Sequence, residues 1–131
     1  WFLGRVVTSL KYLLQILLII CPNSKVIDYL CDSYMLLVPS KLDEGFPYVI
    51  REGLAAGTCI LASDVGGINE LLTHKTNAVL FQKNNIMDFI EKMCCLIENN
   101  DKRNAYAYNG YNVQFSKESK RYSELVQDLT N

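Results

Sequence analysis

Two glutamates near the middle of the sequence, Glu44 and Glu52, have the residue type and surroundings to bind a hydroxylated ligand. Glu52 lies in an apolar stretch that we expect to be a largely buried helix, and a partly buried carboxylate needs hydrogen-bond donors. The neighbouring hydroxyls of a ribose supply two donors at once, and Glu44 is placed to accept from a sugar hydroxyl. We expect neither carboxylate to touch a phosphate, because like charges repel.

The segment that follows Glu44 is suited to an anion. It runs through Gly45, Phe46 and Pro47 into a helix predicted at 47–56, and proline is favoured at a first helical position. Gly45 allows a ligand to approach the backbone closely, and the free N–H groups of a first helical turn attract phosphate. A ligand with phosphates flanked by hydroxylated rings fits both features, and a nucleotide sugar is such a ligand.

An alternation of strands and helices must position these groups. A continuous apolar run predicts a buried strand at 34–38, and further strands are predicted at 58–62 and 78–81. Gly57 is predicted to end the helix at 47–56, and a short helix is predicted at 68–72. This order predicts right-handed βαβ units and an α/β fold, in which helices flank a Rossmann-like parallel sheet. Ligands bind such sheets at the carboxyl ends of the strands.

Two loops at that edge carry further candidate residues. The first runs from Ser40 to Phe46, and the second contains Asp64, Gly66 and Gly67. The two glycines either offer a second close approach to a ligand or form a plain turn, and both interpretations stay open. Asp64 is as well suited to bracing its loop as to touching a ligand.

Helices are predicted at both ends of the sequence. Those after the last strand span 86–98, 102–113 and 117–129. Ser116 is a suitable N-cap for the third of these helices. Near the start, residues 1–5 predict a short strand, a helical turn follows at 25–30, and Leu10–Cys21 predicts a helix that is apolar on most sides. It is shorter than a spanning helix, so we expect a core segment or a face covered by another domain.

Composition argues against several kinds of partner and site. Thirteen basic and fourteen acidic residues leave a net charge of -1 without a basic stripe, so no nucleic-acid partner is expected. The cysteines have no metal-ligand spacing, and we expect reduced core residues rather than disulfides or a metal site. They are Cys21, Cys31, Cys59, Cys94 and Cys95. His74 is the only histidine, and we expect it to be exposed and non-catalytic.

Other conspicuous side chains are expected to have structural roles. Lys41 and Arg51 are interpreted as solvated charges rather than phosphate ligands. Tyr106, Tyr108 and Tyr111 are interpreted as helix-packing residues rather than a platform on which a sugar stacks.

The stretch from Val38 to Gly67 resembles the C-terminal, donor-binding domain of retaining GT-B-fold glycosyltransferases of the group 1, or family 4, type. That family carries two glutamates with seven residues between them, as Glu44 and Glu52 are here. It also has a Pro-Ser pair before the first glutamate, a Gly-Phe-Pro after it, and a Gly-Gly followed by a glutamate. The matching residues are Pro39, Ser40, Gly45, Phe46, Pro47, Gly66, Gly67 and Glu70. A weaker likeness extends over nearly the whole chain.

The resemblance implies roles for these residues. Glu52 would bind the ribose of the donor and Glu44 the transferred sugar, with backbone amides near Gly45 and Phe46 facing the sugar or the phosphates. The implied donor-binding set is completed by Ser40, Pro47, Gly66 and Gly67. The implied reaction is transfer of a hexose from a nucleotide sugar to a glycan or lipid-linked acceptor, with retention and without a metal or other cofactor. The implied place is the cytoplasm, with peripheral association at the inner face of the membrane.

The sequence also departs from the family pattern. A basic Arg/Lys pair that binds phosphate has no counterpart, and Arg5 does not stand in the right motif to replace it. Arg51 stands where an apolar residue is usual, and Gly53, where alanine is usual, weakens a helix by about 1 kcal/mol. The chain begins without methionine, and we expect residues 1–131 to be a single, incomplete nucleotide-sugar-binding domain without its N-terminal acceptor domain, inactive alone.

Two other functions remain open at this stage. One is a non-catalytic, truncated remnant that binds nucleotide sugar or acts as an interaction module. The other is a GT-B epimerase acting on the same donors, although the catalytic acids and histidine of such an enzyme have no evident place here.

Overall fold

The computed structural model of the chain describes residues 25–41 and 48–130. In chain order the elements are α1 (Val26–Cys31), β1 (Leu36–Val38), α2 (Tyr48–Ala55), β2 (Ile60–Ser63), a 3-10 helix (Gly66–Glu70), β3 (Val79–Phe81), α3 (Ile86–Glu98) and α4 (Asn100–Thr130). The predicted strand at 1–5, the predicted helix Leu10–Cys21 and the candidate residues Glu44, Gly45, Phe46 and Pro47 lie outside the described residues.

The three described strands form one parallel sheet in the order β1-β2-β3. Leu36 pairs with Ile60, and Leu61 pairs with Val79, so strands that are consecutive in sequence are neighbours in space. The predicted strands are confirmed: β1 and β3 lie within their predicted ranges, and β2 begins two residues later than predicted and extends to Ser63.

Each face of the sheet is covered by helices, as the uninterrupted apolar strands predict. Side chains alternate between the faces along a strand. On one face, alternate strand residues join a core with α1, α2 and the 3-10 helix that includes Leu36, Ile50, Leu54, Ile60 and Ile68. On the other, a second core with α3 and α4 includes Met35, Leu61, Val79, Phe81 and Leu96.

The helix α2 ends at Ala55, and Gly57 closes its C-terminus as predicted. Gly57 has a φ of +66°, a left-handed conformation that side-chain-bearing residues rarely adopt. Its N–H donates to the Leu54 carbonyl at 3.1 Å, and the Thr58 N–H donates to the Gly53 carbonyl at 2.9 Å. This pair of bonds is a Schellman motif, which satisfies two end carbonyls and turns the chain into β2.

The C-terminal end of α3 is closed by a buried arginine on α4. The Arg103 guanidinium donates to the Leu96 and Ile97 carbonyls and, at 2.8 Å, to the Asn100 amide oxygen. It also lies 4.7 Å from the centre of the Tyr34 ring. A cation at this helix end is stabilised by the helix dipole, so Arg103 joins α3, α4 and the entry to β1.

The prediction of two helices after α3 is wrong. A single helix, α4, runs from Asn100 to Thr130, and Ser116 lies within it rather than capping a new one. The Ser116 hydroxyl donates to the Val113 carbonyl at 3.0 Å, which satisfies the side chain on the preceding turn. No glycine or proline stands between 113 and 117 to end the helix.

Predictions about cysteines and tyrosines hold only in part. Cys59 is buried, but Cys31, Cys94 and Cys95 are exposed, and all of these thiols are free. Tyr106 packs against the second core. Tyr108 and Tyr111, by contrast, are exposed on α4, because a stripe along the helix meets the core while these two residues fall outside it.

Candidate functional site

The carboxyl ends of β1 and β2 lie side by side at one edge of the sheet. Val38 pairs with Ala62, and the Ser63 hydroxyl donates to the Val38 carbonyl at 3.4 Å. Half-buried Ser40 follows β1 at this edge, and the chain from Asp64 onward follows β2. The two loops predicted to carry binding residues therefore do start from neighbouring strands.

The helix α2 starts at this same edge and runs back along the sheet. It connects the carboxyl end of β1 to the amino end of β2, so its first turn at Tyr48 faces the site. Free N–H groups of that first turn favour an anion such as phosphate.

Glu52 lies one helical turn after Tyr48, about 6 Å along the axis. Its side chain is half-buried, while its neighbours Gly53 and Leu54 are buried. Among the residues that the structure describes, none donates a hydrogen bond to its carboxylate. Its oxygens are therefore available to hydroxyl donors of a ligand.

Gly53 lets α2 sit close to the sheet. A Cβ there would lie 2.7 Å from Leu36 Cδ2 and 3.3 Å from Ile60 Cδ1, which is closer than side chains normally pack. Glycine at this position thus has a lower helix propensity than alanine, but it allows α2, which carries Glu52, to lie close to the strands.

Gly66 and Gly67 begin the 3-10 helix instead of preceding a helix at 68–72. The dihedrals of a 3-10 helix are open to every residue type. The local backbone thus gives no reason for two consecutive glycines, and Gly66 is exposed beside the carboxyl end of β2.

Asp64 braces the loop that these glycines start. Its carboxylate accepts a hydrogen bond from the Asn69 amide at 2.7 Å, and its N–H donates to the Phe81 carbonyl at 2.8 Å. The loop after β2 is thereby tied both to the 3-10 helix and to the end of β3.

A second polar cluster, which the sequence did not indicate, lies at the carboxyl end of β3. The Asp88 carboxylate accepts the Gln82 N–H at 2.7 Å and the Lys92 ammonium at 2.8 Å. These hydrogen bonds, first that from Lys92 and then that from Gln82, lower the pKa of Asp88. One sequence pattern could have revealed this cluster. Asn85 is a suitable N-cap three residues before Asp88, and Lys92 follows Asp88 by one helical turn.

His74 belongs to this cluster. It is exposed, as predicted, and its Nδ1 accepts the N–H of Leu80 at 2.9 Å. Desolvation, followed by the charges of Lys92 and Lys75, lowers its pKa. The ring is therefore neutral near pH 7, with its proton on Nε2.

The described residues contain no cluster of three or more side chains suited to a metal ion. None of the helices within 25–41 and 48–130 is both long and apolar enough to cross a membrane.

Comparison with known proteins places this fold and motif in a family. The model of the family described as glycosyl transferases group 1 matches residues 9–113, which is most of the chain. A protein named as an uncharacterized glycosyltransferase of Methanocaldococcus jannaschii is 40% identical over 82 residues, covering 63% of this chain and 22% of that protein.

Solved structures share the fold. HepE of Anabaena, crystallised with UDP and glucose, matches with a TM-score of 0.68 and 21% identity over 80% of this chain and 29% of its own. The C-terminal domain of the group 1 glycosyl transferase LpcC of Francisella tularensis matches with a TM-score of 0.67 and 21% identity, covering 75% of this chain and 50% of that one. The chain thus spans less than a third of the M. jannaschii and HepE proteins. It belongs to the glycosyl transferases group 1 family, and its described residues have the α/β fold of GT-B glycosyltransferases.

Proposed function

We propose that this chain is the donor-binding part of a retaining glycosyltransferase that uses a nucleotide sugar. The transferred group is a hexosyl unit, and the acceptor is a glycan or a lipid-linked sugar in cell-surface polysaccharide synthesis at the cytoplasmic face of a membrane. Family membership supports the reaction class. The donor assignment is carried by the half-buried carboxylate of Glu52, which lies one turn into α2 and to which no residue within 25–41 and 48–130 donates a hydrogen bond.

Glu52 accepts hydrogen bonds from both hydroxyls of the ribose in this proposal. A carboxylate has two oxygens and accepts a vicinal diol without rearrangement, whereas a half-buried carboxylate without donors is unfavourable. Crystal structures of the similar protein HepE contain UDP or UDP-glucose, which makes uridine nucleotides the first ligands to test.

The diphosphate lies at the first turn of α2, between Glu52 and the sugar. Helix N–H groups supply donors there. Glu44 binds the transferred sugar in this proposal, and the donor-binding set is completed by Gly45, Phe46, Pro47, Ser40, Gly66 and Gly67. No metal takes part. The remaining phosphate charge is neutralised by basic residues of the rest of the enzyme, since this chain spans 29% of HepE and lacks the family's Arg/Lys pair.

Titration of the chain with UDP, GDP and ADP, followed by amide shifts in NMR spectra, tests the donor assignment. The effective nucleotide should shift residues around Glu52, Ser40 and Gly66. Replacing Glu52 by alanine should weaken binding about ten- to a hundredfold, because hydrogen bonds to a charged group are lost.

Glu98→Ala is the matched control, because Glu98 is exposed at the far end of α3 and its substitution should leave affinity unchanged. If the Glu52 substitution leaves the nucleotide affinity unchanged, the assignment of Glu52 to the ribose is wrong. A chain that binds none of the three nucleotides would favour the alternative of a remnant that serves as an interaction module.

A further inference from the structure

A cleft of about 800 Å³ opens at the carboxyl end of β3, apart from the donor site at β1 and α2. Strands β1 and β3 are separated by β2, so the two places are about 10 Å apart across the sheet edge. Asp64, in the loop after β2, is the lining residue of the cleft that is nearest in sequence to Gly66.

The polar groups of the cleft are held in fixed positions. The His74 ring is oriented by the Leu80 N–H, which leaves its Nε2–H as a donor. The Asp88 carboxylate is fixed by the Gln82 N–H and by Lys92. Preorganised groups of this kind bind a ligand with little loss of side-chain entropy.

One carboxylate of the cleft has acceptor capacity to spare. Glu91 lies on α3 one turn from Met87, and no described residue donates to its side chain. Together with His74 it provides an acceptor and a donor on facing elements, α3 and the turn before β3.

The charges of the cleft nearly balance. Three carboxylates, those of Asp64, Asp88 and Glu91, stand against the ammonium groups of Lys83 and Lys92, and Lys75 is near enough to help lower the pKa of His74. A cleft without an excess of either sign favours a neutral ligand over a phosphate.

Met87, which is 71% exposed, supplies most of the apolar surface of the cleft. Leu80 and Phe81 also line it but are 7% and 5% exposed, because their side chains pack in the two cores. Apolar area combined with a few fixed donors and acceptors of both kinds is the environment that binds a small polar ligand with apolar faces.

We propose that this cleft binds a neutral saccharide, with His74 Nε2 donating to one ring hydroxyl and Glu91 accepting from another. Saccharide binding at this cleft does not rest on the proposed function.

Titration of the 15N-labelled chain with methyl α-glucoside and with maltose tests the proposal. We expect shifts of amides around the cleft, at Leu80, Gln82 and Asp64. His74→Asn keeps an acceptor for the Leu80 N–H but removes the donor into the cleft, and it should weaken binding about two- to tenfold, as the loss of one hydrogen bond does. Glu91 is exposed, so Glu91→Gln should not disturb folding. This substitution should also weaken saccharide binding.

His74→Gln, which retains a donor near the Nε2 position, should bind more tightly than His74→Asn, and Glu98→Gln should bind like the unaltered chain. No shift with either sugar, affinity unchanged by both weakening substitutions, or equal shifts with inorganic phosphate would each overturn the proposal. Because Glu52 is intact in these variants, UDP binding should survive in all of them. Failure of the saccharide site is thereby distinguished from failure of the donor site.

Discussion

The packing of α4 on α2, the helix that carries Glu52, depends on a glycine. A Cβ at Gly110 would lie 2.7 Å from Leu54 Cδ2 and 3.3 Å from the Asn77 carbonyl oxygen. Leu54 is 1% exposed, and the Asn77 side chain is held by the Thr73 N–H at 2.7 Å and the Leu71 carbonyl at 2.9 Å. Neither neighbour has room to retreat.

Replacing Gly110 by alanine therefore sets two effects against each other. Helix propensity favours alanine by about 1 kcal/mol, whereas overpacking costs about 1–3 kcal/mol. Because a backbone carbonyl is one of the two obstructing groups, we expect overpacking to win, with a net loss of about 1 kcal/mol in the free energy of unfolding. Urea unfolding followed by circular dichroism measures this quantity.

Two companion variants make the test specific. Asn112→Ala, on the exposed side of α4, should stabilise the chain by about 0.5 kcal/mol through propensity alone. In a Leu54→Ala background, where the obstructing methyl is absent, Gly110→Ala should cost less than in the unaltered chain. If Gly110→Ala alone stabilises as much as propensity predicts, α4 does not pack against α2 as described.

Three further predictions concern buried and titrating groups. Burial raises the pKa of the Cys59 thiol to about 11, partly offset by Arg103. A thiol reagent at pH 8 should therefore modify Cys59 only after unfolding, as peptide mapping would show, while the exposed thiols react in the native state. These are Cys31, Cys94 and Cys95. The pKa of His74 is lowered from 6.5, so the unfolded state binds more protons as the pH falls. The free energy of unfolding should thus decrease below pH 6.5 and depend less on pH in His74→Gln. Arg103→Met should lower the free energy of unfolding by about 2 kcal/mol, because buried carbonyls at the end of α3 lose their donor; an unchanged urea midpoint would contradict the capping role.

Much of the fold could be predicted because its signals are local. Short, largely apolar segments predicted the three parallel strands, Gly57 predicted the end of α2, and the helix 86–98 has the predicted bounds. Each of these features depends on residues adjacent in sequence.

What could not be predicted depends on which neighbour a residue meets. Cys94 and Cys95 lie in an apolar run, but α3 packs through Phe89, Met93 and Leu96, and the two cysteines fall outside that stripe. Similarly, the acceptor role of His74 toward Leu80 arises only when the turn folds onto β3.

The position of two candidate loops could also be predicted. The sequence predicted Ser40 and the loop with Gly66 and Gly67 at one edge of the sheet, and the register of β1 with β2 places them there. The role of Gly53 was not predictable, because its close contact with Leu36 and Ile60 depends on the distance between helix and sheet.

The central claim, that Glu52 binds the ribose of a nucleotide donor, is tested most directly by changing both partners of the contact. Affinities of UDP and of 2′,3′-dideoxy-UDP are measured by calorimetry for the unaltered chain and for Glu52→Gln, with GDP or ADP forms substituted if those nucleotides bind more tightly. We predict that Glu52→Gln weakens the ribonucleotide about tenfold and leaves the dideoxynucleotide unchanged, since only the former has hydroxyls to donate. Equal weakening of both nucleotides, or of neither, would contradict the assignment of Glu52 to the ribose.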